Sequence, residues 1–178
     1  MASEIEHYSL PLPALDRPAR LAVVVSPYYS TIAKGLVTGA LRVAEAAGAG
    51  AEVIEVPGAL EIPPAIATIG RAGRFDGFVA LGCVIRGETT HYDTVCNDSS
   101  RGLMMLGLEG YAIGNGILTV ENVDQALVRS DPDGQNKGGG AAAAALHLIA
   151  LARRFSPGPQ PGLAGHQRTP RMSGSDRK

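Results

Sequence analysis

The feature that most constrains this chain is residues 77–85, GFVALGCVI, which are apolar at consecutive rather than alternating positions. A strand with that pattern is buried on both faces, as a central strand is in a parallel sheet covered by helices on each side. Residues 21–25 (LAVVV) repeat the pattern, and residues 51–56 (AEVIEV) and 111–120 (YAIGNGILTV) supply two more strands. Between these runs the apolar residues recur at helical spacing. Ile32, Leu36, Ala40, Val43 and Ala47 form one such series, with Ser30 expected to cap it and Gly48 and Gly50 to end it. Pro63 and Pro64 follow a Pro57-Gly58 turn and are tolerable only in the first turn of a helix, here expected to reach residue 72. Residues 92–108 read as a third helix, Asn122 as the cap of a short helix through Arg129, and residues 136–155 as an Ala-rich terminal helix. Strict alternation of strand and helix, with right-handed crossovers, predicts an α/β sandwich on a parallel sheet of four strands.

The 178 residues are one domain's worth of sequence, and 45% hydrophobic residues suffice for one core. Aromatic residues are only 4%, while Ala and Gly together make up roughly a quarter, so the helices are expected to lie close on the sheet. The domain is expected over residues 21–155. Residues 1–20, punctuated by Pro11, Pro13 and Pro18, read as an extended arm, and the Pro-, Gly- and Arg-rich residues 156–178 as a disordered tail. A formal charge of -1 supplies no field to attract nucleic acid or an anionic membrane. The first fifteen residues lack the layout of a secretory signal, and the longest apolar run, 141–152, is interrupted by His147 and too short to span a bilayer. A cytoplasmic protein is expected. Cys83 and Cys96 have no metal-ligand spacing and read as reduced thiols, so no metal site is expected.

In open parallel sheets ligands bind outside the carboxyl ends of the strands, which directs attention to SPYYS (26–30), PGALE (57–61), RGETTHYD (86–93) and TVEN (119–122). The third segment is the richest. Gly87 admits close backbone approach, and Glu88, Thr89 and Thr90 offer amides ahead of a helix, an arrangement that suits a phosphate or merely starts a helix. His91 at that junction reads either as a group that moves protons near neutral pH or as a surface histidine. Tyr28 and Tyr29 can stack on a planar heterocycle or cover the sheet end. Arg129 and Lys137 flank a turn-rich segment and equally suit a solvated charge pair. Ser99 and Ser100 lie in a helix without a nucleophile elbow, and NKGGG (136–140) lacks the spacing of a P-loop.

Taken in order, VPGALEIP (56–63), LGCVIRGETTHYDTVCNDS (81–99), NGILTVENVDQA (115–126) and NKG (136–138) resemble the 6,7-dimethyl-8-ribityllumazine synthase family over residues 20–155. The resemblance implies a flavodoxin-like three-layer αβα sandwich. It implies assembly as a pentamer or an icosahedral shell of pentamers, with active sites between neighbouring subunits and an edge strand added by a neighbour's N-terminal segment. It implies a transferase of riboflavin biosynthesis that condenses a 5-amino-6-ribitylamino-pyrimidinedione with 3,4-dihydroxy-2-butanone 4-phosphate, releasing phosphate and water, without cofactor or metal. By the same resemblance Tyr28 stacks on the pyrimidine ring, and Ala59, Leu60 and Glu61 bind the ribityl chain. Cys83, Val84 and Ile85 meet the heterocycle through their backbone, Glu88 and Thr89 form the phosphate-binding turn, and His91 shuttles protons. Asn115 and Arg129 belong to the neighbour's wall of the site, Arg129 being its phosphate-binding arginine, and Lys137 matches a lysine near the same site.

Three residues depart from the family's pattern: Pro27 where a basic residue is common, a tyrosine as the stacking ring, and Asn115 in place of a phenylalanine. A flavodoxin-like electron carrier would need a Ser/Thr-rich phosphate loop after the first strand, and SPYYSTIAKG has neither its glycine nor its threonine spacing. A non-catalytic relative would be expected to lack His91 or Arg129, and both are present.

Overall fold

The computed structural model describes residues 10–155. Along them run β1 (Arg20–Val25), α1 (Ser30–Ala46), β2 (Gly50–Glu55), a 3-10 turn (Ala59–Glu61), α2 (Ile62–Gly70), β3 (Gly77–Ile85), α3 (His91–Leu108), β4 (Ile113–Val120), α4 (Val123–Ser130) and α5 (Lys137–Phe155). The expectations for residues 1–9 and for the tail lie outside the described residues. All strand pairs are parallel and the order is β2-β1-β3-β4. Among the described residues this is the flavodoxin-like order with four strands.

Continuous apolarity in β1 and β3 means that both faces of the sheet carry core. Leu21, Val23, Val25, Val79 and Leu81 face α1 and α5, together with Ala126 of α4. Ala22, Val24, Phe78 and Ala80 face Ile62 and Ile66 of α2 and Leu103 and Leu106 of α3. The result is the three-layer sandwich. Fully burying a side chain of this size contributes about 1.5–3 kcal/mol, which is why two short apolar runs can organise five helices. The expected close approach of backbones is seen between α5, α1 and β4. A side-chain carbon at Gly114 would collide with the Ala141 carbonyl, and one at Gly138 with the carbonyl of Leu36.

Three helix starts differ in how they are held. Asn122 caps α4 as expected, its Oδ1 accepting the Gln125 amide at 3.0 Å. Ser30 is not the cap: Tyr29 holds that position, its carbonyl accepting the Ala33 amide at 2.9 Å, and Ser30 is the first residue of the helix. Asn136 lies just outside α5 rather than within it, with φ 46°, and its Oδ1 accepts the Gly139 amide at 2.9 Å.

The amino ends of the strands are fastened by one cation. The Arg153 guanidinium donates to Asp16 at 2.9 Å, to the Arg17 carbonyl at 2.7 Å and to Asp76 at 3.2 Å, with 14% of its side chain exposed. Asp76 also accepts the Arg20 amide at 2.8 Å. Burial alone would raise the Asp76 carboxyl, but the hydrogen bonds from Arg20 and Arg153, with the charges of Arg153 and Arg17, outweigh it and hold the group below the usual range.

Candidate active site

At the opposite end of the sheet three strand termini converge. Ser26, buried just beyond β1, donates its amide to Leu81 of β3 at 2.9 Å and its hydroxyl to the Pro57 carbonyl after β2 at 3.4 Å. Tyr28 then projects outward, 75% exposed, with its ring edge-on to Tyr29 at 5.0 Å. Burial, with smaller contributions from Tyr28 and Cys83, raises the Tyr29 phenol, so it stays neutral. After β2 the extended Gly58 leads into the Ala59–Glu61 turn, and the Glu61 carboxylate folds back over Gly58 so closely that a side chain there would meet it at 2.7 Å.

β3 delivers Cys83, Val84 and Ile85 half-buried to the same place. Desolvation raises the Cys83 thiol to about 11, so it is a protonated, weakly reactive wall group at neutral pH. Beyond β3, Gly87 to Thr90 are exposed, and their four amides have no acceptor among the described residues. Such a run of outward amides ahead of α3 is suited to an anion. The Thr89 hydroxyl accepts the His91 amide at 3.4 Å, and His91 opens α3 at the edge of the cavity. These groups enclose a cavity of about 420 Å³ lined by Tyr28, Ala59, Leu60, Glu61, Cys83, Val84, Ile85, Thr89 and His91.

Four residues singled out in the sequence stand elsewhere in the subunit. Glu88 lies exposed in the turn, next to Thr89 but not in the cavity wall. Asn115 sits exposed on β4, where its Oδ1 accepts the Ile117 amide at 2.9 Å, and it borders a separate apolar groove between α3 and α5. Arg129, half-buried on α4, donates to the Gln125 carbonyl at 3.0 Å, and Lys137 is the exposed first residue of α5. Neither lines the cavity of its own subunit.

Ser26, Gly58 and Tyr92 of the cavity wall fall in segments that the sequence singled out, but without a role of their own; Val95 in the wall, and the role of Arg86 at its rim, were missed. Arg86 lies over the Tyr92 ring, 4.0 Å from its centre, and donates to Glu121 at 2.8 Å and Asp93 at 3.4 Å. No local sequence signal points to this pair; it follows from the register, in which Ile85 lies opposite Val120 and the next residues along both strands are oppositely charged. Among the described residues no cluster of His, Cys, Asp and Glu has metal-binding geometry, and no helix is long and apolar enough to cross a membrane.

A parallel sheet of flavodoxin-like order, with a ring, a carboxylate, a histidine and a run of open amides around a cavity at its carboxyl ends, defines an α/β protein with a candidate site at that edge. A family model described as 6,7-dimethyl-8-ribityllumazine synthase matches residues 18–153. The chain is 56% identical over 146 residues to the 6,7-dimethyl-8-ribityllumazine synthase of Jannaschia sp. (strain CCS1), covering 82% of each chain. It is 53% identical over 137 residues to that of Erythrobacter litoralis, covering 77% of this chain and 98% of the relative, and 52% identical over 138 residues to that of Zymomonas mobilis, covering 78% and 99%. The chain belongs to the 6,7-dimethyl-8-ribityllumazine synthase family, whose enzymes are transferases of riboflavin biosynthesis.

Proposed function

We propose that this protein forms 6,7-dimethyl-8-ribityllumazine by condensing 5-amino-6-ribitylamino-pyrimidinedione with 3,4-dihydroxy-2-butanone 4-phosphate, releasing phosphate and water. The observation that best supports this reading is the cavity at the strand ends, which Tyr28, Glu61, Thr89 and His91 line together. In this assignment Tyr28 stacks on the pyrimidine, Glu61 with Ala59 and Leu60 holds ribityl hydroxyls, and the backbone of Cys83, Val84 and Ile85 reads the heterocycle edge. The Glu88–Thr89 turn receives the phosphate.

The reaction begins with attack of the amine on the ketone. Loss of water, elimination of phosphate, tautomerisation and ring closure follow, and each transfers a proton. An imidazole can both take and give a proton, and His91 stands in the cavity wall, so it is assigned the shuttle. Much of the remaining acceleration comes from holding two reactants in register, which needs no strong nucleophile and fits a Cys83 thiol kept protonated by burial.

Arg129, Lys137 and Asn115 are assigned to the site of an adjacent subunit, because none of them lines the cavity of its own chain. The assembly proposed is a pentamer, alone or as the unit of an icosahedral shell, with the residues up to about 14 as an arm that adds an edge strand to the neighbour; of the expected arm 1–20, residues 16–20 belong to this subunit, where Arg153 holds Asp16 and Arg17, and Arg20 opens β1. We place the enzyme in the cytoplasm. The test is to supply purified protein with both substrates and follow lumazine absorbance and phosphate together. One phosphate per lumazine is expected, with unchanged rate in a chelator. Absence of product, or activity lost to the chelator and restored by zinc, overturns the reading.

A further inference from the structure

Arg86 is the first residue beyond β3, and its amide donates to the Val120 carbonyl at 3.0 Å, extending the β3–β4 ladder by one step. Its side chain then branches between two helices. On one side it meets the first turn of α3, lying 4.0 Å over the Tyr92 ring and donating to Asp93 at 3.4 Å, immediately after His91. On the other it donates through Nε to Glu121 at 2.8 Å, the residue before the Asn122 cap of α4. The Glu121 amide is in turn accepted by Gln125 Oε1 at 3.0 Å, and α4 carries Arg129.

Neither attachment is explained by stability. The Arg86, Glu121 and Asp93 side chains are 42%, 57% and 56% exposed, and ion pairs so open to water contribute little to folding. What a planar guanidinium with two donors and a stacked face does supply is orientation. The start of α3 lacks a side-chain cap of its own, since Thr90 makes none and the His91 amide reaches only Thr89 at 3.4 Å.

We infer that Arg86 is a positioning residue that ties the start of α3, and with it His91, to the start of α4, and with it Arg129. This rests on the proposed function, in which His91 serves its own site and Arg129 the adjacent one. One guanidinium therefore sets the geometry of groups in two neighbouring active sites. A misplacement of about 1 Å is enough to cost up to about 100-fold in rate.

The test uses the full chain and four variants, with each substrate varied separately and native mass and melting temperature measured alongside. Arg86→Gln is expected to lower kcat and to raise KM for the butanone phosphate, with assembly and melting unchanged. Asp93→Asn should reproduce mainly the loss in kcat and Glu121→Gln mainly the rise in KM, while Arg86→Lys should not restore either, because an ammonium cannot stack and fork in the same way. Wild-type kinetics in Arg86→Gln, rescue by Arg86→Lys, or losses that simply follow a lower melting temperature overturn the inference. Should Arg86→Gln fail to assemble, identical effects of Asp93→Asn and Glu121→Gln on kcat and KM also overturn it. A wild-type chain that makes no lumazine overturns the proposed function first and this inference with it, whereas an active wild type beside an unaffected Arg86→Gln overturns this inference alone.

Discussion

The two ends of the sheet are built on opposite plans. At the amino ends, Arg153 gathers Asp16, the Arg17 carbonyl and Asp76, and Asp76 in turn takes the Arg20 amide, so charged groups are drawn inward and paired, with the Arg153 Nε left without a partner among the described residues. At the carboxyl ends, Tyr28 stands in solvent and the amides of Gly87 to Thr90 are left to water. A solvated amide can exchange water for a ligand oxygen at small net cost, whereas a buried and bonded one cannot. The fold concentrates its fastening at one edge, and that leaves the other edge free to bind.

If that division holds, changes at the two ends should separate activity from stability. The largest effect is expected from His91→Ala, which should slow turnover by roughly 10- to 1,000-fold with an unchanged melting temperature. An unaltered rate would make His91 a bystander. Next, Arg129→Ala should raise KM for the phosphorylated substrate by roughly 10- to 150-fold, the loss of a charge-assisted contact, and leave KM for the pyrimidinedione nearly constant. Co-assembling Arg129→Ala with His91→Ala chains sharpens the point: activity above both parents is expected if the site is shared, and none if Arg129 acts within its own subunit.

At the other end, Arg153→Ala should lower unfolding free energy by about 1–3 kcal/mol, read from the denaturant midpoint, with turnover per folded chain preserved. A selective loss of kcat there would break the comparison. Asp76→Asn refines it by pH. Because the folded carboxyl lies below its ordinary value, its contribution is present above the unfolded carboxylate range and is lost as the pH falls through the depressed folded value. The stability gap between wild type and Asp76→Asn should thus be full at neutral pH and close progressively below about pH 4, in equilibrium unfolding at a series of pH values. The smallest change is expected at Cys83, where Cys83→Ser should leave turnover within about threefold because a thiol at about 11 is not the attacking group. A hundredfold loss would make the sulfur a participant.

The sandwich was legible because β1 and β3 are short, β-branched and apolar on both faces, and alternate with helix-period segments, the combination expected of covered parallel strands. Asn122 was legible as a cap because its role is local. Ser30 was misread because side-chain type suggests a cap, while the tertiary packing of Ile32, Ala33 and Leu36 decides where the turn begins. In the candidate site, contiguous motifs are brought together, residues 59–61, 83–85, 89 and 91 lining one cavity. The roles of Ser26 and Arg86 were not legible, because the partners that give them meaning lie more than thirty residues away in the chain at Pro57 and Glu121. Charge register between strands whose pairing is unknown is invisible in one sequence.

The contacts of α5 with β4 and α1 also bear on how this sequence can drift. Gly107 and Gly140 have open space where a side chain would begin, so substitutions there meet no neighbour. Gly114 and Gly138 instead abut the Ala141 and Leu36 carbonyls, which belong to rigid backbone and cannot swing aside. A single methyl at either position would have to prise a helix from its seat. From α3 to α5 the chain thus contains positions open to mutation and positions frozen against it, and the frozen ones carry no chemistry at all.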